Sequence, residues 1–390
     1  MSSNFLTEPA VAPDLHIPHS PHTVDVRVLD AGTLLHLKPG LFYEPALDGF
    51  EAQHVPTYCF LISHGDRHVV FDLGVRQDWE NSAPKLVSLV REAAMITRGS
   101  DIATLLNEDA ERHEKGGGSG PELGIRPRDV EAIVWSHNHF DHTGDPSTFP
   151  PTTPLVLGPG VRAASWPGYP TNPESMMLDS DIAGGRPIQE ISFQAGEKGH
   201  VRIGRFDAFD YFGDGSFYLL DAPGHAVGHM CGLARTTADP PSFVLMGADS
   251  CHHIGVLRPT AYLPLPRDGP SLQGLETRAQ TTQTTPCPCP GELLASLTKT
   301  GQPDRSFFDV AKGPYFLDHE QSMDTVGKLQ ELDASDEVFI VIAHDHTLRD
   351  RMPLFPEKVN DWRERGLSSS TRWLFLKEFE AVIAKRAAES

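Results

Sequence analysis

Residues 132–142 read AIVWSHNHFDH, an apolar run typical of a β-strand followed at once by side chains that bind metals. Those side chains are His137, His139, Asp141 and His142. Imidazole and carboxylate together suit zinc or a similar first-row ion. An H-x-H pair alone is as typical of a solvated loop, but the Asp-His that follows favours metal binding. The stretch therefore predicts a metal site at the end of a strand.

The same arrangement recurs three times farther along the chain. Apolar runs at 217–220, 243–246 and 338–343 are followed by one candidate ligand each, namely His225, Asp249 and His344. Side chains that follow several strands of a sheet converge at one edge, where open α/β sheets place their active sites. We therefore predict that these segments build one centre.

Length and charge exclude several classes of protein. The chain has 390 residues, of which 39% are hydrophobic, so it is long enough to bury a large core. Its formal net charge is −20 and no run of Lys and Arg interrupts this balance, which disfavours nucleic acid and anionic membranes as partners. The longest apolar run, 338–343, is far shorter than a spanning helix requires.

The cysteines and the N-terminus bear on the compartment. Five cysteines form an odd, sparse set without zinc-knuckle spacing, and residues 1–13 lack the features of a secretory signal. We therefore expect a reducing, cytoplasmic environment. The oligomeric state stays open.

Patterning predicts the domain organisation. Proline-rich residues 1–22 predict an extended arm, and residues 23–390 predict one domain with insertions near 99–124 and 255–305. The Gly-rich part of the first insertion, 114–124, predicts a flexible loop. Helical spacing of apolar residues predicts helices over 81–97 and 368–388.

The motif of His137, His139, Asp141 and His142 resembles the H-x-H-x-D-H signature of the metallo-β-lactamase superfamily. The later elements are similar too, because His225 lies in a P-G-H turn, Asp249 matches the family's bridging aspartate and His344 its last histidine. The resemblance covers about residues 23 to 350. It implies an α/β fold, a four-layer αββα sandwich with the site between two sheets.

The resemblance also implies a ligand set and a reaction. His137, His139 and His225 would hold one Zn²⁺, the second would bind Asp141, His142 and His344, and Asp249 would bridge them. Two such ions lower the pKa of a shared water and polarise a carbonyl. We therefore expect a binuclear zinc hydrolase that attacks its substrate with a metal-bridging hydroxide.

Residues beside the ligands carry further expectations. Asp141 is placed to orient the hydroxide, and His252 or His253 could donate a proton to the leaving group, although both are more typical of polar loop residues. Lactonases of this superfamily present a tyrosine a few residues past the bridging aspartate, where it assists the substrate carbonyl. The first tyrosine after Asp249 here is Tyr262, the candidate for that catalytic role, although its spacing departs from the family's. The other expectations are a turn-holding role for His229 and contacts around the site for Asp345 and His346.

The substrate is predicted from the segment before the motif. Its side chains suit either a core or an apolar pocket: Leu41, Phe42, Tyr43, Phe50, Tyr58 and Phe60. We expect the substrate to be a small uncharged cyclic ester, amide or carbamate. The enzyme would open this ring by hydrolysis, as lactonases and fungal-type lactamases do with their substrates. A glyoxalase II-like thioesterase and a mononuclear iron persulfide dioxygenase-like enzyme are the alternatives.

Overall fold

The structure is a computed structural model that describes residues 4–116, 123–268 and 289–389. The strands are numbered in chain order: β1 (Asp25–Leu29), β2 (Leu34–Leu37), β3 (Tyr43–Glu44), β4 (His54–Val55), β5 (Cys59–His64), β6 (Arg67–Phe71), β7 (Ala94–Thr97), β8 (Val130–Val134), β9 (Leu155–Leu157), β10 (Ile188–Glu190), β11 (His200–Ile203), β12 (Phe206–Asp210), β13 (Phe217–Asp221), β14 (Met230–Ala238), β15 (Pro241–Ala248), β16 (Asp309–Val310) and β17 (Val338–Ile342). The α-helices are α1 (Pro84–Ala93), α2 (Ile102–Lys115), α3 (Phe140–Thr143), α4 (Val161–Ser165), α5 (Ile254–Leu257), α6 (Pro290–Ala295), α7 (His319–Asp333), α8 (Leu367–Thr371) and α9 (Glu380–Glu389).

Two six-stranded sheets form the centre of the molecule. The first has the order β1-β5-β6-β8-β9-β10 and the second β11-β12-β13-β14-β15-β17. In the first, β8 runs parallel to β6 and β9, while in the second β17 runs parallel to β15. The metal-type motif follows β8, and the three later candidate ligands follow strands of the second sheet.

Alternation along the strands explains how the sheets are buried. In β17, Phe339 and Val341 join the apolar cluster between the two sheets, whereas Ile340 and Ile342 join the cluster on the outer face of the second sheet. Side chains of a strand point to opposite faces in turn, so a strand apolar throughout is covered on both sides. The run VFIVI at 338–342 is buried at every position for this reason.

Helices cover the outer faces. Leu106 of α2 packs with the apolar residues behind the first sheet, and Leu329 of α7 packs with those behind the second. The molecule is therefore an αββα sandwich, and the predicted fold class is confirmed. Two small sheets, β4-β2-β7 and β16-β3, lie beside it.

Both predicted long helices are interrupted. The first is helical only over Pro84–Ala93, and Ala94–Thr97 forms β7, which pairs antiparallel with β2. The second divides into α8, a 3₁₀ segment at Leu374–Phe379 and α9. In that 3₁₀ segment Phe379 packs 4.2 Å from the Phe307 ring, centroid to centroid. Tertiary contacts thus override the helical spacing in each case.

The arm and the two proposed insertions differ in structure. Residues 4–22 run without a helix, and Leu6 N donates to Leu265 O at 2.9 Å. Helix α2 occupies most of 99–124 and contributes to the core, while 117–122 lie outside the described residues. Of 255–305, the residues 269–288 also lie outside them. Across the described ranges, the helices are too short or too polar to span a bilayer.

Candidate metal centre

The seven candidate side chains lie at the ends of four strands and meet where the two sheets face each other. The segment after β8, which includes the short helix α3, contributes four of them. One each follows β13, β15 and β17. They fall into two groups that share Asp249, and the ligand-type atoms of each group all lie within 4.8 Å of one another.

The first group contains three imidazoles. His225 Nε2 lies 2.9 Å from His139 Nδ1 and 3.2 Å from His137 Nε2. Asp249 Oδ2 lies 3.4 Å from His225 Nε2 and 3.7 Å from His137 Nε2. Burial lowers the pKa of His139 and of His225 to about 3 and that of His137 well below its usual value. These imidazoles are therefore neutral, which is the form that binds a metal.

The second group contains two imidazoles and two carboxylates. Asp249 Oδ1 lies 3.0 Å from His142 Nε2 and 3.1 Å from His344 Nε2. Asp141 Oδ2 lies 3.5 Å from His344 Nε2 and 3.7 Å from His142 Nε2. Burial would lower the pKa of both histidines, but the neighbouring carboxylates, Asp249 foremost, raise it. Asp249 thus presents one oxygen to each group.

The donor atoms of the second group fit a cation. His142 Nε2, His344 Nε2 and Asp249 Oδ1 are buried, and within the described residues none of them has a partner in hydrogen-bond geometry. Buried polar atoms are normally hydrogen-bonded, so atoms that converge without such a partner are typical of a ligand set. The groups therefore form a His/Asp cluster that suits divalent metals.

Asp72, which follows β6, orients His142 and was not predicted from the sequence. Its Oδ2 lies 2.7 Å from His142 Nδ1 and accepts from Ser136 Oγ at 2.7 Å, and its Oδ1 accepts from Ser136 N at 2.7 Å. Asp72 has a φ of 62°, and Ala248, directly before Asp249, has a φ of 43°. Such backbone is strained in non-glycine residues and concentrates at functional sites. The only sequence signal was an aspartate next to an apolar strand, which is common.

Backbone carbonyls orient two further histidines. His344 Nδ1 lies 2.8 Å from Pro56 O. His229 Nδ1 lies 2.8 Å from Ala222 O, and His229 Nε2 accepts from Asp249 N at 3.2 Å. Burial lowers the pKa of His229 to about 4. His229 therefore holds the turn between β13 and β14 against the loop of Asp249, as the sequence predicted.

A cavity of about 290 Å³ opens over both groups. Its walls are mostly apolar, and no Lys or Arg is among the described residues that line it. Five of the candidate ligands line the cavity, and the remaining lining residues are Leu37, Phe42, Leu86, Leu89, Val90, Ala93, Ala94, Asn138, Phe140, Ala164, Asn172, Glu174, Ser175, Met176, Met177, His252, Pro314 and Tyr315. Of the predicted segment, Phe42 both lines the cavity and packs in an apolar cluster. The other members pack in or against apolar clusters: Leu41, Tyr43, Phe50, Tyr58 and Phe60.

The two remaining candidate catalytic residues have different positions. His252 lines the cavity, and its Nε2 lies 3.1 Å from Asp249 Oδ2. The structure does not bring Tyr262 there, since it is not among the described residues that line the cavity. Tyr262 instead follows Ala261, whose carbonyl accepts from Ala10 N of the arm at 2.8 Å. The backbone beside Tyr262 thus pairs with the arm, and Tyr262 is not among the described residues that line the cavity with the ligand groups.

Comparisons with known proteins agree with this geometry. A family model described as the metallo-beta-lactamase superfamily matches residues 53–235. The chain is 56% identical to metallo-hydrolase mfmC of Annulohypoxylon moriforme, over 97% of this chain and 93% of that protein. It is 42% identical to gamma-lactamase FDB1 of Fusarium pseudograminearum, over 100% of this chain and 89% of that protein.

Among solved structures, the chain resembles an N-acyl homoserine lactone hydrolase with the product N-hexanoyl-L-homoserine bound at its catalytic metal centre. The TM-score is 0.50 at 16% identity, and the match covers 87% of this chain and 100% of that one. At this identity the likeness concerns the fold.

Proposed function

The chain belongs to the metallo-β-lactamase superfamily, and we propose that it is a binuclear zinc hydrolase that opens a small uncharged cyclic ester, amide or carbamate. One observation carries the proposal: two ligand groups share Asp249 beneath an apolar cavity whose described lining has no fixed cation.

The seven side chains divide between two zinc ions in this proposal. His137, His139 and His225 hold one ion, while Asp141, His142 and His344 hold the other, with Asp249 common to both. Two divalent ions so placed would lower the pKa of water towards neutrality and polarise the carbonyl to be attacked. A mononuclear iron enzyme would not need the second group, whose four members are all present and buried.

Residues of the chain position the reactants. Asp141 lines the cavity with a carboxylate that is 8% exposed, so it can accept a hydrogen bond from the attacking water and direct its lone pair to the carbonyl. His252 faces the same cavity, and its Nε2, which lies 3.1 Å from Asp249 Oδ2, would turn its hydrogen bond to the substrate carbonyl or to the leaving heteroatom when the ring is bound. It stands three residues after Asp249, and the related lactonases present their tyrosine a few residues past that aspartate.

The walls favour a neutral ring as substrate. Leu86 and Val90 of α1 contribute apolar surface, and Phe42 and Tyr315 form an aromatic pair with ring centroids 5.2 Å apart. A carboxylated substrate would find no Lys or Arg in the described lining. The name gamma-lactamase, carried by a relative at 42% identity, supports a cyclic amide among the candidates.

A hydrolysis panel tests the proposal. The protein as purified is analysed for its metals, and the zinc-loaded protein is then offered lactones, lactams, cyclic carbamates, and open-chain thioesters with a carboxylated leaving group. We expect about two zinc ions per chain and the highest kcat/KM for a neutral ring. Faster cleavage of the thioesters would replace the proposal with a thioesterase, and one iron per chain would replace it with a dioxygenase.

His252 and Tyr262 form a matched pair of variants. Loss of a hydrogen-bond donor aimed at developing charge costs about a hundredfold in kcat, so His252→Ala should lose that much. Tyr262→Phe should change kcat by less than about twofold, as expected for a substitution away from the site. Equal losses in both variants would contradict the role of His252.

A further inference from the structure

Glu378 is a buried carboxylate that no step above uses. It lies in the 3₁₀ segment Leu374–Phe379, and its side chain is 8% exposed. Its Oε2 lies 3.2 Å from His253 Nε2, and its Oε1 lies 3.9 Å from His346 Nε2. A buried carboxylate is costly unless it is hydrogen-bonded, so its retention at this point calls for a reason.

Both partners of Glu378 flank candidate metal ligands. His253 adjoins His252 and follows Asp249 by four residues, while His346 follows His344 by two. The C-terminal segment therefore reaches the two loops that bring Asp249 and His344 to the centre. Those loops follow β15 and β17, which are neighbours in the second sheet.

The direction of the bond to His253 is determined by its other nitrogen. His253 Nδ1 accepts from Gly255 N at 2.8 Å, so the proton of the neutral ring is on Nε2. Nε2–H therefore donates to Glu378 Oε2. Tyr43 and Phe308 pack against this ring with centroids 5.1 and 5.3 Å away, which limits its rotation.

The neighbouring rings of His252 and His344 are not covered on every side. A second cavity of about 20 Å³, room for about one water, borders His252 and His344 and is also lined by His253, His346 and Glu378. Side chains next to such a space can shift unless a bond restrains their loops. Glu378 is hydrogen-bonded to His253 of one loop and lies within ion-pair distance of His346 of the other.

We propose that Glu378 is a positioning residue that holds the loop of Asp249 and His252 in register with the loop of His344. It acts through His253 and His346 and touches neither substrate nor metal. The inference rests on the proposed function where it is tested by kcat. Where it is tested by the absorption spectrum of bound cobalt, it rests only on the two ligand groups.

The test compares variants that keep or remove the hydrogen-bond acceptor. Residues around a metal centre that orient its ligands typically contribute 10–100-fold, so Glu378→Ala should lower kcat about tenfold with a smaller change in KM. Its cobalt-substituted form should show a shifted visible absorption spectrum. Glu378→Gln, whose amide oxygen can accept from His253, should recover most of the kcat and the wild-type spectrum.

Two further variants complete the design. Glu378→Asp keeps the charge but withdraws the carboxylate by one methylene, and it should behave like Glu378→Ala, which keeps the test decisive if the alanine variant does not fold. Asp207→Asn removes the charge from a histidine–aspartate pair remote from the centre, where His200 Nε2 lies 3.0 Å from Asp207 Oδ1, and it should change neither readout.

The outcomes separate the two proposals. A folded Glu378→Ala with wild-type kcat and cobalt spectrum would overturn the positioning role, and so would a Glu378→Gln no better than Glu378→Ala. If the wild-type protein hydrolyses nothing in the panel, the proposed function fails. The cobalt spectra would then still decide whether Glu378 positions the ligands.

Discussion

Each of the two ligand groups has four members, but the groups differ in the charge of their side chains. The first has three imidazoles and a share of Asp249, and burial keeps its histidines neutral. In the second, two carboxylates face two imidazoles, and the pKa of both His142 and His344 is raised. A cation entering the first group meets three neutral imidazoles and one carboxylate oxygen, whereas one entering the second meets two imidazoles and oxygens of two carboxylates. One loop of six residues, 137–142, thus supplies two sites of different character.

The largest effect is expected from replacing Asp249, the side chain that both groups share. Asp249→Ala should empty both groups and lower kcat by about a thousandfold or more, because water is then no longer activated. Metal analysis and turnover on the best ring substrate would measure this. Retention of both metals in this variant would contradict the bridging role.

Variants of single-group ligands should separate the two sites. Asp141→Ala should release the metal of the second group only, and His139→Ala that of the first only. Each should cost more than the roughly 10–100-fold typical of residues that merely orient ligands. Both should keep the fold, because the sheets supply the core. Loss of both metals in each variant would mean that the groups fill only together.

A smaller effect is expected from a substitution of Asp72, whose carboxylate contacts His142 of the second group. Asp72→Asn keeps the side chain's shape and tolerates positive φ, but it loses the charge that faces His142 Nδ1. It should lower activity or metal affinity about 10–100-fold, chiefly in the second group, because Asp72 reaches the first group only through Ser136 Oγ, 3.0 Å from His137 Nδ1. Asp181→Asn is the matched control, since Asp181 is also a buried aspartate but bonds to the backbone of Leu178. An equal effect in this control would point to general destabilisation.

The sequence predicted those parts of the fold and of the site whose pattern lies in neighbouring residues. The candidate ligands were found because each follows an apolar strand, and a strand end fixes where the next residues lie. β7 was missed because its partner β2 lies some sixty residues earlier, which helical spacing cannot register. The position of Tyr262 could not be predicted locally, because its segment pairs with the arm, far earlier in the chain. Glu378 and Tyr315 reach the site from far along the chain, so no local pattern could assign them.

The division of the ligands between the sheets makes metal binding a matter of stability as well as catalysis. Each group takes two members from the segment after β8, in the first sheet, and two from the second sheet. A bound ion would thus link the two halves, in addition to the apolar contacts and the hydrogen bonds, such as Met230 N to Ser136 O, that already join them. By mass action, an ion present at a hundred times its Kd would add about 2.7 kcal/mol to the free energy of unfolding. Resistance to heat and to proteases would then follow the free metal concentration, so chelation would weaken the scaffold along with the chemistry.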